Sequence, residues 1–106
     1  MRLQPEQILQ THEILRKFFA DIPYKLYLYG SRTQDHLKGG DIDLLIVTTQ
    51  AGVELFNHAE LDLLVQIKKQ PALGQRRIDL KAVTQLDLET KTFLRVIADS
   101  LIELTI

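Results

Sequence analysis

The sequence predicts an α/β domain. Segments with helical spacing alternate along the whole chain with short apolar or alternating segments. One of the latter, residues 41 to 48, opens on two acids and then turns wholly apolar, the pattern of a buried strand. No internal repeat, low-complexity stretch or linker interrupts the alternation, so the 106 residues (1–106) read as a single domain.

The elements follow in order. Residues 5 to 20 read as a helix. Pro5 suits a first helical turn, Glu6 sits where the helix dipole favours an acid, and Ile8, Leu15, Phe18 and Phe19 with Ile14 or Ile22 approximate an apolar stripe. Pro23 ends it. Residues 24 to 29, Tyr-Lys-Leu-Tyr-Leu-Tyr, read as a strand. Gly30-Ser31 breaks that strand, and Ser31 is a reasonable N-cap for a short helix from about Arg32 to Leu37. Gly39-Gly40 is a turn, and the acid-headed strand follows at 41 to 48. Thr49 to Gly52 reads as a loop. Residues 53 to 69 then carry a helical pattern, with Leu55, Phe56, Ala59, Leu63, Leu64 and Ile67 available for burial, closed by Pro71 and Gly74. A third strand is expected at 76 to 83, a helix from Asp87 to Ala98, and a short edge strand within 101 to 106 in preference to a continued helix.

Composition narrows the function. The apolar fraction is 45 % and the charged fraction 25 %, an ordinary globular balance. A net charge of −1, with a pI near 6.3, is a poor basis for gripping nucleic acid by bulk electrostatics. The absence of cysteine excludes disulfides and thiolate metal sites. Met1 to Glu6 holds no apolar leader segment, and no run approaches bilayer length, so a cytoplasmic protein is expected.

The chemistry is carried by Tyr29-Gly30-Ser31-Arg32 and, downstream, Asp41-Ile42-Asp43. A glycine-serine turn between strand and helix exposes backbone N–H groups at a helix N-terminus, which attracts phosphate. Gly30 lets a ligand approach the backbone, and Ser31 adds a hydroxyl. Asp41 and Asp43 are two apart on a strand, so both belong to one face. Two such carboxylates repel unless a cation joins them, and hard oxygen donors beside a triphosphate suit Mg²⁺. Asp79, in the third strand, joins the cluster if that strand neighbours the acidic one, and two bridged metals then hold the attacking and leaving oxygens.

A Gly-Ser turn, a short helix, Asp-x-Asp and a third Asp on a later strand resemble the polymerase β-type nucleotidyltransferase superfamily. The length and layout are similar to its minimal nucleotidyltransferase (MNT) domains. Residues 26 to 47 carry the signature and Ile78-Asp79-Leu80 the third acid. One departure is Gly40, where many relatives have serine; that serine is not a metal ligand. The resemblance implies a small mixed β-sheet flanked by helices. It implies that Gly30 and Ser31 hold the triphosphate, that Asp41 and Asp43 bind the metals, and that Asp79 ligates the catalytic metal and helps deprotonate the acceptor hydroxyl.

Each motif also has a plainer reading. Gly30-Ser31 is also an ordinary strand-to-helix turn, and Asp41 with Asp43 a solvated strand entrance. Asp79 is otherwise a surface acid paired with Arg77 or Lys81. Arg32 either reaches a phosphate or lies solvated on its helix; Lys81 either contacts phosphate or, the better reading, neutralises Asp79. Glu60 with Asp62 diverge on a helix, and Asp87 with Glu89 serve a helix start. His12, His36 and His58 show no ligand spacing, although His36 lies in the loop nearest the acids. Tyr24, Tyr27 and Tyr29 fit strand packing better than a nucleobase platform.

Large superfamily members add domains that bind the acceptor, and no such addition is expected here. The resemblance points to a partner protein: small MNT proteins pair with a helical HEPN-domain ribonuclease, the MNT member acting as antitoxin by moving AMP from ATP to a tyrosine of the toxin. The expectation is therefore an adenylyltransferase antitoxin using ATP and Mg²⁺, with two ions at the site. It contacts neither nucleic acid nor membrane directly, and its homo-oligomerisation is left open. The alternative is a non-catalytic nucleotide-binding module that neutralises its partner by contact. Phe18, Phe19, Leu101, Ile102 and Ile106 are candidate contact residues, with core the commoner fate of such side chains.

Overall fold

The computed structural model describes residues 4–29, 41–70, 77–92, 94 and 101–105. The expected helix at 32–37, the Gly39-Gly40 turn, Pro71 and Gly74 lie outside them. The elements are α1 (Pro5–Phe19), β1 (Tyr24–Leu28), β2 (Asp41–Thr48), α2 (Gln50–Lys68), β3 (Arg77–Thr84), α3 (Gln85–Thr90) and β4 (Ile102–Glu103). The strands form one mixed sheet in the order β3-β2-β1-β4. β1 is antiparallel to β2 and to β4, while β2 and β3 run parallel, joined by the α2 crossover.

Strand alternation divides the core. One face presents Leu26, Leu28, Ile42, Leu44, Ile46, Ile78 and Leu80 to the buried sides of α1 and α2, where Leu15, Phe19, Phe56, Leu63 and Ile67 meet them. The opposite face holds a smaller cluster of Tyr29, Leu45 and Val47 against Val83, Leu88 and Leu101. β2 is buried on both faces, which explains why its sequence is continuously apolar after the acids.

α1 begins with a capping box in which the Gln4 N–H donates to Gln7 Oε1 at 2.8 Å. His12, on its inner side, ties three elements together. Its Nε2 lies 2.7 Å from the Leu104 carbonyl and its Nδ1 2.8 Å from the Tyr24 hydroxyl. A carbonyl only accepts, so Nε2 donates and Nδ1 accepts from the phenol. The Leu104 N–H donates in turn to Leu26 O at 2.8 Å, fixing the segment after β4 beside β1.

Helix boundaries differ from the expectation in the second half of the chain. α2 starts at Gln50, inside the expected 49–52 loop, because Thr49 caps it: Thr49 Oγ1 accepts from the Gly52 N–H at 3.1 Å. Gly52 had the look of a breaker, yet its helical site leaves no room for a side chain beside Thr48. The helix expected from Asp87 starts at Gln85 instead. Thr84 Oγ1 accepts from the Asp87 N–H at 3.0 Å and the Asp87 carboxylate accepts from the Thr84 N–H at 3.5 Å, so Asp87 completes a cap at the third helical position. α3 is interrupted at Lys91, whose backbone is extended (φ −80°, ψ 127°), and helical backbone returns at Thr92 and Leu94, within the expected 87–98 helix. The edge strand is confirmed and short, covering Ile102 and Glu103 only. Of the candidate contact residues, Phe19 is core, Phe18 and Leu101 are half-buried, Ile102 is exposed and Ile106 lies outside the description.

Candidate active site

The parallel pairing of β2 with β3 sets the acids. Asp43 and Asp79 are register partners, so they sit side by side on the face opposite α1 and α2. Neighbouring strands lie about 4.8 Å apart, which makes these two carboxylates a directly adjacent cross-strand like-charge pair. Asp43 is half-buried and Asp79 exposed, so one acid is held in the wall while the other faces solvent. The expectation that the third strand neighbours the acidic one is met.

β1 adds a third member to the row. Its register with β2 continues one step past Leu28↔Leu44, where the Tyr29 N–H donates to the Asp43 carbonyl at 3.1 Å. Tyr29 is 6 % exposed. Burial, then the charge of Asp79, then that of Asp43, push its phenol up to about 12. Tyr29 does pack on its strand, as expected, but it also walls one side of the acid pair. Pairing the two strands across the Gly-Ser turn would have revealed this from the sequence.

The next row inward is Tyr27, Leu45 and Lys81, with Leu45 fully buried and the other two half-buried. The acids therefore stand at the β2 N-terminal end of the face, one row above Tyr27, Leu45 and Lys81.

Asp41 is the first residue of β2, two positions before Asp43 and in register with Arg77. The side chains of Asp41 and Arg77, and the whole of Gly30, Ser31, Arg32 and His36, lie outside the described residues. Among the described residues, no group of three or more His, Asp or Glu side chains gathers to hold a metal. The decoys fall where they were read: Glu60, Asp62 and His58 are exposed on α2, and Asp87 caps α3. Among the described residues, no helix is long and apolar enough to cross a membrane.

A mixed sheet with acids paired on adjacent parallel strands is the setting in which the comparison with known families decides the matter. The model of the nucleotidyltransferase domain family matches residues 8–104. The chain belongs to that family. Its four-stranded sheet and helices have the polymerase β-type nucleotidyltransferase fold, and the reaction class of the domain is transfer of nucleotidyl groups. No curated protein and no solved structure matches the chain.

This nucleotidyltransferase domain is matched from within α1 to the residue after β4, so the match takes in Tyr29, Asp43 and Asp79 together. The acid-headed face carries Asp43 and Asp79, two hard oxygen donors of the kind a divalent cation takes. The opposite face is covered by α1 and α2.

Proposed function

We propose that this nucleotidyltransferase uses Mg²⁺ to transfer AMP from ATP to a tyrosine hydroxyl of a partner HEPN-domain toxin, acting as its antitoxin. The observation that carries the reading is the register pairing of Asp43 with Asp79 at the end of the sheet face where β2 begins. Two carboxylates in adjacent positions destabilise each other unless a cation is shared between them. The donor set is hard oxygen, which suits Mg²⁺.

Asp43 and Asp79, joined by Asp41, would hold the metal, and Gly30, Ser31 and Arg32 would hold the triphosphate. Bound Mg²⁺ would neutralise charge on the phosphates and on the leaving pyrophosphate. Asp79 faces solvent and takes the proton of the acceptor hydroxyl. The hydroxyl oxygen forms a bond to the α-phosphorus as the bond to the bridging oxygen breaks, and pyrophosphate leaves. Tyr29 closes the side of the row and stays protonated, so it adds no third negative charge. Position and charge neutralisation supply most of such a barrier reduction. The tyrosine acceptor and the toxin partner are supported by the resemblance to minimal nucleotidyltransferases.

The test is label transfer. The chain is incubated with Mg²⁺, α-labelled ATP and the product of the neighbouring gene, and compared with Asp43→Asn and Asp79→Asn. Label on a tyrosine of the partner, lost by at least about 100-fold in either variant, supports the proposal. Equal neutralisation of the partner by wild type and variants, without label, contradicts it and favours a contact-only module.

A further inference from the structure

Lys81 stands two residues after Asp79 in β3 and so shares the acidic face, one row inward. Its register partner Leu45 is fully buried, and Tyr27 completes the row. Lys81 is half-buried in this row, yet among the described residues no hydrogen bond or ion pair holds its ammonium. Lysine buries its stem along apolar surface and keeps its charged head free for water or an anionic partner.

Two strand residues span about 6.6 Å, a distance that the four-carbon stem of lysine covers. An extended Lys81 side chain is therefore long enough to span to the row of Asp43 and Asp79. Neither carboxylate forms an ion pair with it, so Lys81 is not engaged in neutralising Asp79. A triphosphate lying over the acids would bring the missing anion within its reach. A point charge with three rotatable donors suits a phosphate oxygen, whose approach angle is not fixed in advance.

We propose that Lys81 is a nucleotide-binding residue whose ammonium donates to a phosphate oxygen of the triphosphate bound over Asp43 and Asp79. This rests on the nucleotidyl-transfer reading of that face. It replaces the sequence expectation that Lys81 serves chiefly to neutralise Asp79.

The probe is inorganic triphosphate with saturating Mg²⁺, which removes any dependence on the base. Its affinity is measured by calorimetry for wild type, Lys81→Met, Lys81→Gln and Lys81→Arg, with a Mg²⁺ titration of each. Both neutral variants are expected to bind about 10-fold to 100-fold more weakly, while Lys81→Arg stays within a few-fold and the Mg²⁺ midpoint does not move. Unchanged triphosphate affinity in the neutral variants overturns the assignment. So does a loss that tracks a shifted Mg²⁺ midpoint, which would place Lys81 in the service of Asp79. Wild type that binds no triphosphate overturns the reading of the whole face, an outcome distinct from the other two.

Discussion

Asp43 and Asp79 occupy the same register position on adjacent parallel strands, with Tyr29 directly across β1 from Asp43. A stable fold places like charges side by side at a cost, and here the cost falls at the end of the face where β2 begins. Such a local conflict between stability and sequence is characteristic of functional sites.

The conflict predicts a gain in stability when it is removed. In metal-free buffer, Asp79→Asn raises the unfolding free energy by a few tenths to about 1 kcal/mol, the scale of a like-charge cross-strand pair. Urea melts check this, and the gain shrinks in high salt because Asp79 is exposed. A loss of more than about 1 kcal/mol would show that the Asp79 carboxylate is structural.

Tyr29 predicts an alkaline signature. Its phenol is pushed up to about 12 by burial and then by Asp79 and Asp43. The folded state therefore holds this proton more tightly than the unfolded chain, whose phenol has the ordinary value of 10.0. The associated stability is complete below pH 10 and is lost as pH rises toward 12. In metal-free buffer, absorbance at tyrosinate wavelengths should show a late ionisation that Tyr29→Phe removes. Tyr24, raised by burial against a smaller lowering by Arg16, accounts for a second delayed step.

Gly52 predicts a steric loss. An added Cβ would meet Thr48 Oγ1 in hard contact and lie 2.8 Å from its Cγ2. Thr48 cannot turn away without breaking its 2.7 Å hydrogen bond to the Pro23 carbonyl. Overpacking of this kind costs about 1–3 kcal/mol, more than the roughly 1 kcal/mol that alanine adds to a helix. Gly52→Ala should lower the melting temperature by several degrees, as thermal unfolding followed by circular dichroism would read.

Much of this was legible before any coordinates. The all-apolar run after Asp41 and Asp43 predicted a strand buried on both faces, and Asp41–Thr48 is that strand. Strand pairing is not written in any one segment. That Asp79 meets Asp43 depends on the length of α2 and the register it imposes, which periodicity does not carry. The helix starts at Gln50 and Gln85 were missed for a local reason: threonine caps at Thr49 and Thr84 act through side-chain hydrogen bonds that apolar spacing does not report. The sequence offered Lys81 both a phosphate and Asp79 as partners, and its half-buried setting, which depends on the neighbouring strands, was not legible there.

Ligand-induced stabilisation tests the acid pair most directly. Wild type and the Asp43→Asn/Asp79→Asn double variant are melted with and without Mg²⁺ and a non-hydrolysable ATP analogue. At about 100 times its dissociation constant a ligand adds roughly 2.7 kcal/mol to the folded state, a rise of several degrees for a domain of this size. That rise is predicted for wild type, only when metal and analogue are both present, and not for the double variant. An equal rise in the two proteins would contradict the assignment of Asp43 and Asp79 to metal and nucleotide binding.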